Sequence, residues 1–72
     1  MMQTFSLNGH EHIALCDLLK LSGLASSGGQ AKAWIAEGRI RRNGTPETRK
    51  TAKIRAGEII ELDDGSTIEV QE

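Results

Sequence analysis

Seventy-two residues make one domain near the lower end of what a single hydrophobic core can hold unaided. Apolar residues are 38% and aromatics 3% (Phe5 and Trp34), so the core must be mostly aliphatic; a recognition-motif sheet or oligonucleotide-binding barrel, which stack bases on exposed rings, is disfavoured. The net charge of −1 conceals a segregation: residues 39–55 hold Arg39, Arg41, Arg42, Arg49, Lys50, Lys53 and Arg55 against Glu47 alone, whereas residues 56–72 hold Glu58, Glu61, Asp63, Asp64, Glu69 and Glu72 with no base.

Taken in order, Gln3 to Leu7 alternates polar and apolar residues and reads as a short strand ended by Asn8-Gly9. From about Glu11, Leu15, Leu18 and Leu19, with Cys16, fall at helical spacing, which predicts a first helix over roughly 11–22 that Gly23 stops, Leu21 and Leu24 completing its packing. Ser27 followed three residues later by Gln30 matches a capping box. It opens a second helix to about Glu37, with Ala31, Trp34 and Ile35 buried, Trp34 as the hinge of the core, and Lys32 on the opposite side.

Gly38 suits the left-handed position that ends a helix. If the next residues are extended, Arg39 and Arg41 share one face of the strand and Ile40 and Arg42 the other. Asn43-Gly44 has the two residues that a type I′ hairpin wants at positive φ. Pro46 cannot donate a ladder bond, so the strand containing it lies at an edge or begins only at Glu47; edge placement leaves Arg49 and Lys50 open to water. Short strands follow at Lys53-Ile54-Arg55, Glu58 to Leu62 and Thr67 to Val70, joined by turns at Ala56-Gly57 and Asp63 to Ser66. The expected architecture is α+β: a two-helix hairpin packed on a small, mostly antiparallel sheet. Acidic and basic strands pairing across that sheet would cancel the charge segregation; otherwise an electropositive face remains to steer polyanions.

The order of parts resembles the RNA-binding domain named for ribosomal protein S-four, the αL motif. The resemblance rests on the apolar first helix, the serine-started second helix with Ala31 and Ile35, and Gly38-Arg39-Ile40 before Asn43-Gly44 and a basic hairpin. It runs from about Leu15 to Leu62 and is similar above all to the small stand-alone bacterial proteins of the YbcJ type, through Thr4-Phe5-Ser6-Leu7, Leu15 to Leu21, Gly29-Gln30-Ala31-Lys32 and Glu47-Thr48-Arg49-Lys50. Two departures stand out. Gly28 and Gly29 follow the capping serine where the family often has arginine, and Arg42 occupies a strand position that is usually apolar; its stem is expected to snorkel over the core rim. The resemblance implies non-catalytic binding of structured RNA, with ribosomal and transfer RNA as candidates.

Phosphate recognition favours arginine, whose planar fork matches two oxygens at once. The residues assigned to RNA are Lys32, Arg39, Arg41, Arg42, Arg49, Lys50, Lys53 and Arg55. Without aromatics such a surface reads shape and backbone more than base sequence. The alternative is a protein-interaction adaptor that associates with ribosomes or RNA enzymes through its acidic last third. His12 and Cys16, four apart on the predicted helix, lack two further zinc ligands, and Cys16, His12 and Asp17 have no anion cradle before them, so neither a metal site nor catalysis is expected. A chain this short also has little room to enclose a substrate pocket of the usual size, about 300 Å3 or more. One cysteine and no secretory leader point to the cytoplasm, and no apolar run reaches the roughly 20 residues that span a bilayer, so no membrane partner is expected. The chain is further expected to be a cofactor-free monomer with no DNA preference.

Overall fold

Alternation in Ile60-Glu61-Leu62 and Ile68-Glu69-Val70 decides which face of the sheet is covered. In the computed structural model, which describes residues 2–72, these four aliphatic residues turn inward and are buried, while Glu61 and Glu69 face outward. The elements are β1 (Met2–Ser6), β2 (Ile13–Ala14), α1 (Leu15–Leu21), α2 (Gly28–Ala36), β3 (Ile40–Arg42), β4 (Thr45–Pro46), β5 (Lys53–Ile54), β6 (Ile59–Leu62) and β7 (Thr67–Gln71). Five strands form one sheet in the order β1-β7-β6-β3-β4, antiparallel except for the parallel β1/β7 pair; β2 and β5 form a separate antiparallel pair. Leu15, Leu18 and Leu19 of α1 and Ala31 and Ile35 of α2 join Ile40, Ile54, Ile60, Leu62, Ile68 and Val70 in one core, so the architecture is the expected helical hairpin on a mostly antiparallel sheet.

The first helix is shorter than its periodicity predicts. Ile13 and Ala14 are extended and pair with Ile54 and Lys53, and the first helical N–H groups, those of Leu15 and Cys16, donate to the carbonyls of Ala52 and Lys50 at 3.0 and 3.0 Å. A distant loop thus satisfies donors that an earlier helical turn would have covered. With only seven residues, α1 buries one stripe, and Leu21 is left 65% exposed instead of packing.

In α2 the Ser27 hydroxyl accepts the Gln30 N–H at 3.1 Å, as a capping box requires. The return arm closes one residue early, with Gln30 Oε1 accepting the backbone N–H and hydroxyl of Ser26 at 2.8 and 3.1 Å. Ala31 and Ile35 are fully buried, but Trp34 is only half-buried against the core, so the centre is aliphatic and the indole lies at its rim. Gly38, at φ +76°, ends the helix and turns the chain into β3.

Candidate nucleic-acid interface

The surface is built around the hairpin from β3 to β4. Asn43 and Gly44 take φ of +52° and +85°, as a type I′ turn demands, and Arg42 pairs with Thr45 across it. Asn43 also anchors the turn to the next strand: its N–H donates to the Ile59 carbonyl at 2.8 Å, and its Oδ1 accepts the Ile59 N–H at 2.9 Å. Within β3, Ile40 is buried, Arg41 exposed and Arg42 half-buried, so Arg41 and Arg42 leave the strand on opposite faces.

Arg42 does more than snorkel. Its Nε donates to Glu58 Oε1 at 2.6 Å, and its Nη2 to Glu58 Oε2 at 3.0 Å and to the Lys53 carbonyl at 2.9 Å; Nη1 reaches Glu47 Oε1 at 3.3 Å. Four of its five N–H groups can be engaged this way, and the residue ties β3 to the loops on either side of β5. Glu47, just beyond Pro46, is buried and grips Arg49 as well. Arg49 Nε donates to Oε2 and Nη2 to Oε1, each at 3.1 Å, and the Arg49 backbone N–H donates to Oε2 at 3.2 Å. These bonds, those of Arg49 first, outweigh burial and hold the Glu47 carboxyl down at about 2. The Glu58 carboxyl is also lowered, mainly by Arg42 and further by the Arg55 backbone N–H.

Glu47 and Glu58 are the residues that sequence reasoning missed. A lone acid inside a basic run, and an acid directly after the Ala56-Gly57 turn, were the available signals.

Arg42, Arg49, Thr51, Ala52 and Lys53 line a recess of about 350 Å3. Arg39 stands apart from it: its guanidinium lies over the Trp34 ring, 5.4 Å from the centroid, and is paired with Asp63 at 2.8 Å and Glu37 at 3.5 Å. Cancellation of the charge segregation is therefore partial. Of the eight assigned cations, Arg39, Arg42 and Arg49 are in ion pairs, while Lys32, Arg41, Lys50, Lys53 and Arg55 are exposed and make none among the described residues.

At the other edge of the sheet an open groove of about 610 Å3 is lined by residues that include Phe5, His10, His12, Asp17 and Leu21. His12 precedes β2, so it does not share a helical face with Cys16, which is buried and does not line the groove. No group of three or more His, Cys, Asp or Glu is arranged to hold a metal among the described residues, and no helix there is long and apolar enough to cross a membrane.

Residues 5–71 match the family described as the S4 domain. YbcJ of Escherichia coli strain K12, provisionally named an RNA-binding protein, is 56% identical over 59 residues, covering 82% of this chain and 84% of that one. RlbA of Bacillus subtilis strain 168, provisionally named a ribosome maturation protein, is 32% identical over 60 residues, covering 83% and 84%. The solution structure of E. coli YbcJ, described as revealing an αL motif involved in RNA binding, superposes with a TM-score of 0.75 at 49% identity, covering 96% of this chain and 86% of that one.

Proposed function

The chain belongs to the S4 domain family, and on that premise we propose that it is a non-catalytic, single-domain RNA-binding protein that grips the phosphate backbone of structured RNA. The observation that carries this reading is the set of exposed cations without acidic partners among the described residues, Arg41, Lys50, Lys53 and Arg55 around the β3 hairpin and Lys32 on α2. Arg39 and Arg49 join them, each fixed by a carboxylate yet still exposed. Arg42 supports the surface more than it supplies contacts. The protein works in the cytoplasm as a monomer, on ribosomal or transfer RNA.

Titration of a stem-loop RNA at three salt concentrations tests this. Engagement of three to five cations gives a log–log salt slope of about −2 to −5, and Arg41→Ala lowers the slope by about one unit while weakening several structured RNAs alike. Salt-independent binding, or an Arg39→Ala/Arg41→Ala variant that folds and binds as wild type does, would overturn the reading.

A further inference from the structure

We propose that the recess between Arg42, Arg49 and Lys53 is a seat for one phosphate group, with Glu47 as its positioning residue. The inference rests on the RNA-binding reading and names the place where a single phosphate of that ligand is held. Its geometry is that of a half-used fork. Glu47 takes the Nε and one Nη2 hydrogen of Arg49, leaving three guanidinium N–H groups of a side chain that is 73% exposed. An arginine held on one edge loses little further rotamer freedom when the other edge meets an oxygen. Lys53, which makes no ion pair among the described residues, and Thr51 line the same recess, as does Arg42, one of whose N–H groups is uncommitted.

The charges agree with a single occupant. Arg42, Arg49 and Lys53 stand against Glu47 and Glu58, leaving one net positive charge, that of one phosphodiester's counterpart. The other exposed cations act diffusely by comparison, since among the described residues no carboxylate fixes Arg41, Lys50 or Arg55.

Two substitutions separate a built seat from a general basic surface. Arg49→Lys keeps the charge and loses the fork; it is expected to weaken stem-loop RNA binding about tenfold, with the salt slope unchanged. Glu47→Gln removes a negative charge, so net electrostatics alone would tighten RNA binding; a positioning role makes it weaker, with the fold verified by its amide spectrum. Titrating the isotope-labelled wild-type chain with inorganic phosphate should give saturable shifts at Arg49 Nε–H and the Thr51 and Lys53 amides, with Arg41 Nε–H unmoved.

The seat is overturned if phosphate shifts are absent or spread equally to Arg41 and Arg55, if Arg49→Lys binds RNA as wild type does, or if Glu47→Gln binds more tightly. Saturable phosphate shifts in a chain that binds no RNA would leave the seat standing and remove the RNA reading; the reverse pattern would do the opposite. Comparing a stem-loop with a 5′-phosphate and one with a 5′-hydroxyl identifies the source. An equal loss on Arg49→Lys assigns the seat to a backbone diester, and a loss confined to the phosphorylated RNA assigns it to a terminal monoester.

Discussion

Arg42 sits one residue before the β3–β4 turn on the inward face of its strand, where a cation is tolerated only because Glu58, Glu47 and the Lys53 carbonyl surround it. Arg42→Ala leaves two carboxylates short of donors and is expected to cost about 1–3 kcal/mol in denaturant unfolding. Arg42→Met, which retains the stem, should recover part of the packing and none of the pairing. Glu47 makes stability depend on acid. Its folded pKa of about 2 lies below the ordinary 4.5, so its contribution is fully present above about pH 4.5 and is lost as pH falls toward 2. Discounted for the exposure of Arg49, that contribution is about 1–2 kcal/mol. An acid titration of unfolding free energy should therefore fall less steeply between pH 4.5 and 2 in Glu47→Gln than in wild type. Trp34 also belongs at this scale: being half-buried, Trp34→Ala should cost about 2 kcal/mol, less than Ile35→Ala at the centre of the core, and native tryptophan emission should be only partly blue-shifted.

Among the elements, the β3–β4 hairpin was the most legible, because Asn-Gly has few uses other than a pair of positive-φ positions, and Pro46 allowed an edge strand or none before Glu47. The turn has φ of +52° and +85°, and β4, which includes Pro46, ends the sheet, so the edge alternative is the one realised. Gly44→Val places a β-branched residue at positive φ and should destabilise the domain by about 1–3 kcal/mol in chemical unfolding, even though, its two chain neighbours aside, no heavy atom of the described residues lies within 4 Å of where the new Cβ would be. An unchanged midpoint would show that the strain is relieved by a different turn. The first helix was less legible. Its leucine periodicity located the buried stripe but not its start, since Ile13 and Ala14 satisfy a helical pattern as well as an extended one, and the choice was made by β5 some forty residues away.

For the whole molecule, the segregation of charge along the chain and the polarity of the folded surface are different quantities. Folding brings Asp63 to Arg39 and Glu58 to Arg42, so part of the basic run is neutralised from the acidic third. Asp63→Ala with Asp64→Ala should accordingly leave RNA affinity equal or slightly tighter in the same salt titration, because it releases Arg39 from the nearer of its two carboxylates and removes like charge near the ligand. A clear weakening would mean that Asp63 holds Arg39 in its binding geometry, as Glu47 is proposed to hold Arg49.

Features that depend on near neighbours were written in the chain. These are the Ser27–Gln30 cap, the Asn43-Gly44 turn, the alternation of β6 and β7, the fold class, and the concentration of cations between residues 39 and 55. Local backbone preference and side-chain period act over a few residues, and a sequence displays them directly. Only the tertiary structure decided which cations are left uncompensated, where α1 begins, and that Glu47 and Glu58 organise the arginines. Each of these depends on pairings between residues distant in the chain, such as Leu15 with Ala52 or Arg42 with Glu58, and composition and spacing do not encode a through-space distance.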